Sequence, residues 1–227
     1  MIELEKKGNV HVLRMVIDDN RFNGEFMTAF HRALDEVENA EGPAALVTTG
    51  QGRFYSNGLD LEWMGGEGKG ELQQHMVNVH NAFLRMLTFP MITVAGLNGH
   101  TFAAGAMLAL AHDYRVMRAD RGFFCLPEVD IEIPFTPQMD ALIRARLPKV
   151  TAHEAMCTGK RYGGVEAADR QIVHHAVAED EVLTRAIEIA EGLAGKDRST
   201  LTAIKRQMYS HVIEVFERAG LEDQPVG

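Results

Sequence analysis

The sequence is poor in cysteine, in surplus positive charge and in long apolar runs. Only Cys125 and Cys157 occur in 227 residues. Two cysteines build neither a disulfide framework nor a zinc site, so both are expected to be ordinary thiols in a reducing compartment. The net charge of −9 argues against a general binder of nucleic acid or of anionic membrane, which needs excess cations. It leaves room for a local basic pocket around a small anionic ligand. The longest apolar stretch, 101–111, is too short to span a bilayer. The start, MIELEKKGNVHVL, lacks the charged-then-apolar layout of a signal peptide, and LEDQPVG at the end carries no short targeting tail. No P-loop or G-x-G-x-x-G occurs, which leaves nucleotide hydrolysis and dinucleotide binding without support. His174 and His175 are adjacent, and His75 and His80 stand five apart rather than four. Neither spacing aims two ligands at one metal, so no metal is expected. A cytoplasmic protein is the resulting expectation.

What is present suits one sizeable domain, or one domain with a helical appendage. Apolar residues make up 46% of the chain, ample for a core. Loose alternation predicts a strand over 11–17. Phe26, Met27, Phe30, Leu34 and Val37 keep helical spacing. Short buried strands are expected at 44–49, 92–97, 114–117 and 123–125. The run GGEGKG at 65–70 reads as a mobile loop. After it, Met76, Val79, Phe83, Leu84 and Leu87 mark a helix that Pro90 ends. Small residues over 103–111 predict another helix, and helices are expected at 138–147, 152–157, 180–193 and 199–219. Strands alternate with helices and then give way to helices alone. That is an α/β core over 1–195 with a C-terminal helical segment over 196–227. No internal repeat is visible in the sequence.

Three segments can carry chemistry. The first is Ser56-Asn57-Gly58-Leu59-Asp60-Leu61, on a loop after a strand. The second, N-G-H-T-F-A-A-G-A-M from Asn98 to Met107, enters a helix through small residues. A helix start leaves backbone N–H groups free, the dipole adds partial positive charge, and small side chains let a ligand approach. Such a place can hold an oxyanion; the same pattern equally suits a helix packed tightly on its neighbours. The third, L-P-E-V-D-I-E-I-P, sets Glu128 among apolar residues. Desolvation there would raise its basicity, although a Glu in a surface turn has the same local sequence. Asp130 and Glu132 read as structural or exposed. His100 and His112 flank the small-residue helix and read as hydrogen-bonded core residues.

Taken together, these segments resemble the signature regions of the crotonase (enoyl-CoA hydratase/isomerase) superfamily. The A-H-D-Y run at 111–114 and T-G-K-R-Y at 158–162 add to the likeness. The pattern is most similar to the plant-type Δ3,Δ2-enoyl-CoA isomerases. The resemblance implies an α/β fold of the ClpP/crotonase kind, repeated ββα units with a C-terminal helical layer, and assembly as a homotrimer or dimer of trimers through 196–227. It implies an acyl-CoA substrate in fatty-acid metabolism and no cofactor, coenzyme A being part of the substrate. It assigns the oxyanion hole to the N–H groups of Leu59 and Ala104, the latter standing where the family usually has Gly. Of the two glutamates of the hydratases, the first position holds Met107 and the second Glu128. One carboxylate suits a double-bond shift better than hydration. An acid that some family isomerases carry further along would match about Thr136, which is no carboxylate. Ser56, Asn57, Gly58 and Asp60 would form the wall of the CoA site. Trp63 would cover the acyl chain, Met107 would keep the pocket dry, and Arg21, Lys205 and Arg206 are candidate phosphate partners. Thioester hydrolysis, weak hydration and a non-catalytic acyl-CoA binder are the alternatives.

Overall fold

Turn residues cut the first part of the chain into short strands, and each pair of strands leads into a helix. The computed structural model describes residues 1–222; the end of the predicted 196–227 segment, 223–227, lies outside the described residues. The first elements are β1 (Ile2–Lys7), β2 (Val10–Met15), β3 (Arg21–Phe22) and α1 (Gly24–Glu38). Next come β4 (Ala45–Gly50), β5 (Phe54–Ser56), β6 (Gly58–Leu59), α2 (Leu61–Gly65) and α3 (Leu72–Leu87). The middle holds β7 (Ile92–Leu97), β8 (His100–Phe102), α4 (Ala104–Ala111), β9 (Tyr114–Arg118) and β10 (Phe124–Cys125). The remainder is α5 (Pro137–Arg146), α6 (Lys149–Thr158), α7 (Gly164–Asp169), β11 (His175–Val177), α8 (Val182–Leu193), α9 (Arg198–Met208) and α10 (Ser210–Glu222).

The large sheet runs β1-β2-β4-β7-β9-β11. Only β1, which folds back on β2, is antiparallel within it. The smaller parallel sheets are β10-β8-β5 and β3-β6. The repeat is thus one of topology. β2-β3-α1, β7-β8-α4 and β9-β10-α5 each send one strand to the large sheet and the next to a small one, and β4-β5 opens in the same way. Sequence alone hides this, because each unit builds it from different side chains.

Both faces of the large sheet are covered, as parallel strands require. Register aligns Val12, Val47 and Val94 in one row, which packs on Val182, Ala186 and Ala190 of α8. The other face meets the larger core, to which α1 contributes Phe26, Phe30 and Leu34. Asn23 starts α1 by accepting the Phe26 N–H at 2.9 Å. The single helix expected over 199–219 is broken at Tyr209 into α9 and α10, and α10 lies against α5 and α3. The GGEGKG run is not a loose loop. Residues Glu67–Glu71 form a 3₁₀ turn, with Gly68 so close to the Trp63 ring that an added Cβ would sit 2.5 Å from it. The sequence reading names none of β1, β3, β5, β6, β8, β11, α2 and α7, and the segment read as a loop over 54–60 holds β5 and β6. β1 alternates over Ile2-Glu3-Leu4-Glu5 but is largely exposed; the others are too short for alternation or a helical period to mark them.

Candidate active site

Every residue of α4 is buried. A helix apolar on all sides belongs in a core, and the core fixes both of its ends. At its C-terminal end two guanidinium groups meet the free carbonyls. Arg146 donates to Leu110 O at 2.8 Å and His112 O at 2.7 Å, and Arg115 donates to His112 O at 3.0 Å and Ile172 O at 2.6 Å. Cations there match the helix dipole. Burial, chiefly, and then Arg146 nearby pull Arg115 down to about 9, which leaves it charged at neutral pH. At the other end Ala103 takes φ +50° and ψ −126°, a conformation that glycine adopts more readily. Its N–H donates to Cys125 O at 3.1 Å, and its carbonyl accepts Met107 N–H at 3.1 Å as the first helical bond. The N–H groups that follow, beginning at Ala104, are the free donors of the first turn.

The second wall is the 56–60 loop. Ser56 Oγ donates to Asn20 O at 2.7 Å and accepts the Gly58 N–H at 3.1 Å. The Asn57 N–H goes to Asp19 O and the Asp60 N–H to Phe22 O. Gly58, at φ +84°, lies hard against the start of α4: an added Cβ would be 3.0 Å from Ala104 N and from Phe102 O. Leu59 and Ala104 accordingly line the same cavity.

Glu128 comes from the third segment. Past β10 the chain turns tightly, Pro127 O accepting the Asp130 and Ile131 N–H groups and Glu128 O accepting that of Ile133. The turn carries Glu128 inward until it is only 6% exposed, and among the described residues its Oε2 has no hydrogen-bond partner. Burial pushes its pKa up to about 7, opposed only by its own backbone N–H. Glu128, Leu59, Ala104, Arg21 and Asn57 share one cavity of about 490 Å³. Grooves of about 820 and 880 Å³ elsewhere, one beside α1 and α3 and one beside α5, α6 and α10, hold no buried carboxylate.

Several expected contacts fall elsewhere. Lys205 is not available to a phosphate: it is 3% exposed, and its Nζ donates to Asp113 Oδ2 at 2.7 Å, Met91 O at 2.9 Å and Phe89 O at 3.0 Å. Met107 is fully buried in the core and does not line the cavity. Trp63 packs on His75, with ring centroids 4.8 Å apart, and faces the groove beside α1 instead. Ser56 and Gly58 are buried parts of the loop's frame, and Asp60 caps α2 through the Trp63 N–H. Asp130 and Glu132 are exposed and outside the cavity. Arg21 lines the cavity while paired with Asp19 at 3.0 Å. Thr136 also lines it, with Oγ1 3.1 Å from His80 Nε2. Arg161, not singled out from sequence, lines the cavity too and lies over the Phe102 ring at 5.9 Å. Its place in the T-G-K-R-Y run was the available signal.

The family model described as enoyl-CoA hydratase/isomerase matches residues 5–222. Enoyl-CoA delta isomerase 3 of Arabidopsis thaliana is 32% identical, the match covering 96% of this chain and 95% of that one. The same plant's peroxisomal enoyl-CoA delta isomerase 2 is 33% identical over 98% and 96%. The crystal structure of human mitochondrial delta3-delta2-enoyl-CoA isomerase superposes with a TM-score of 0.89 at 23% identity, covering 98% of this chain and 87% of that one. That likeness gives the fold as crotonase-like.

Proposed function

The chain belongs to the enoyl-CoA hydratase/isomerase family, and on that premise we propose that it is a Δ3,Δ2-enoyl-CoA isomerase acting through Glu128. The observation that carries the proposal is a lone buried carboxylate, unpartnered at Oε2, in one cavity with Leu59 and with Ala104 at the start of α4. The thioester carbonyl accepts hydrogen bonds from the amides of these two residues. The Glu128 carboxylate takes a proton from C2 of the 3-enoyl chain, and the electron pair spreads into a dienolate held by the amides. The carboxylic acid then returns the proton at C4, leaving the double bond at C2=C3. A pKa near 7 suits a group that must act first as base and then as acid. Glu128 is the only carboxylate that lines the cavity among the described residues, so water has one activating group rather than two. Nothing in the cycle needs a cofactor beyond the substrate's own coenzyme A. Trimers, or paired trimers, and a cytoplasmic location belong to the same proposal. No helix among the described residues is long and apolar enough to cross a membrane.

Two results are expected. Conversion of trans-3-hexenoyl-CoA to the conjugated thioester should depend on pH through Glu128, since only the ionised carboxylate can take the C2 proton. From a pKa of about 7, kcat/KM rises about tenfold per pH unit below that value and levels off above it. Steady-state rates between pH 5 and 9 check this, and a flat profile would count against Glu128 as the base. Gly58→Ala is expected to push β6 away from the start of α4, because its Cβ meets backbone at 3.0 Å in a conformation disfavoured for alanine. Misplacing one oxyanion donor lowers kcat by roughly 10²-fold. The variant's kcat, measured beside its circular dichroism, tests this; a folded variant with unchanged kcat would remove Leu59 from the oxyanion site.

A further inference from the structure

The groove beside α1 and α3 contains a hydrogen-bonding group that the fold leaves unmet. His75, on α3, borders this groove and is only 2% exposed. Neither of its ring nitrogens has a hydrogen-bond partner of good geometry among the described residues, although the backbone of Phe22 bears on the ring. Burial, chiefly, holds the imidazole pKa below its usual 6.5. At neutral pH the ring is therefore uncharged and keeps one nitrogen as an acceptor. A buried acceptor without a donor costs free energy, and a ligand that brings an N–H removes that cost.

The surrounding charges select the kind of N–H. Glu25 and Glu36 of α1 and Glu71 at the start of α3 line the same groove, all three exposed. Glu25 and Glu36 stand three helical turns apart, so they share one face of α1 about 16 Å from each other along its axis. Glu25 and Glu71 sit at helix starts, where the dipole suits a carboxylate; Glu36 sits in the last turn, where the dipole opposes it. Its neighbours Asp35 and Glu38 are matched by Arg85 at 2.7 and 2.8 Å, whereas Glu36 has no salt bridge among the described residues. Arg32 is the only lysine or arginine that lines the groove among the described residues, so carboxylates are in excess. The indole of Trp63 borders it as well, and its electron-rich ring attracts cations. Ile2 and Leu4 of β1 add an aliphatic strip.

We propose that this groove is a binding site for a linear aliphatic polyamine, with ammonium groups against Glu25, Glu36 and Glu71, methylenes over Ile2 and Leu4, and one N–H donated to His75. Charge repeated along an apolar chain answers carboxylates spread along a partly aliphatic groove. The groove shares no lining residue with the Glu128 cavity, and the site does not rest on the isomerase reading.

Trp63 is the one tryptophan of the chain, so tryptophan emission reports on this groove alone. Spermidine, titrated into the protein at neutral pH and physiological salt, should shift that emission saturably, with one site by calorimetry; octanediol, of similar length and uncharged, should not. Glu36→Gln and Glu71→Gln should each weaken the affinity by about two- to fivefold, the range for one exposed charge pair. Arg32→Gln should tighten it by a similar factor. Glu188→Gln on α8, which packs on the other face of the large sheet, removes the same charge and should leave the affinity unchanged. His75→Phe keeps a ring but no acceptor and should weaken binding; the variants at exposed residues decide the matter even where this buried change unfolds the protein. Absence of saturable binding would overturn the site. Equal weakening by Glu188→Gln would mean attraction to net charge alone and overturn it as well, as would weaker binding in Arg32→Gln or a matching response to octanediol.

Discussion

Glu128→Gln is expected to lower isomerisation of a 3-enoyl-CoA by a hundred- to ten-thousand-fold, the usual range for removing a positioned general base. The amide keeps the shape of the side chain but cannot accept the C2 proton. The same change should stabilise the fold at alkaline pH. Glu128 is raised from 4.5 to about 7 by burial. Between those values the folded chain holds a proton that the unfolded chain has released. Stability therefore falls as pH rises through that window and stays lower above it. The shift corresponds to about 3 kcal/mol, a cost the neutral amide avoids. Thermal unfolding of both proteins should give similar midpoints near pH 4, with the variant higher by pH 8. Lost activity with unchanged relative stability would mean that the carboxylate is better solvated than its burial indicates.

Lys205→Met should destabilise the protein by about 3–5 kcal/mol, as breaking a buried charge pair does. Asp113 Oδ2 accepts from Lys205 at 2.7 Å and from Thr93 N–H at 2.8 Å. Removing the cation leaves that carboxylate among backbone groups in a poorly solvated place. The carbonyls of Phe89 and Met91 also lose their charged donor. At this chain length the effect is a fall in melting temperature of roughly 10 °C. Affinity for acyl-CoA should hold. A stable variant with weakened binding of coenzyme A would restore Lys205 to a phosphate contact.

Lys205 also shows where sequence reading stops. A lysine on a polar-looking helix gives no local sign that three acceptors from distant segments converge on it. Its burial is a tertiary fact, as is the placing of Trp63 against His75 instead of the cavity. Met107 misled for a related reason: its family position suggests a pocket wall, while the packing of α4 turns it into the core. Glu128 and the start of α4 were legible as candidates because their signals are local: a carboxylate after a proline in an apolar run, and small residues at a helix start. Leu59 came from the resemblance alone; the structure sets all three around one cavity. The resemblance then joined segments that spacing alone could not. Helical periods located α1, α3 and α8 to within a few residues, but the break at Tyr209 has no glycine or proline to announce it. The strain at Ala103 was likewise invisible, since alanine ordinarily avoids positive φ.

The central claim is that one carboxylate and two backbone amides move a double bond without adding water or cleaving the thioester. The most direct measurement incubates the protein with trans-3-hexenoyl-CoA and resolves the products by chromatography and mass. The account predicts the isobaric trans-2-hexenoyl-CoA as the main early product, with little of the 3-hydroxy thioester and no free coenzyme A. Unchanged substrate, or free coenzyme A or the hydrated thioester as the main product, would contradict it.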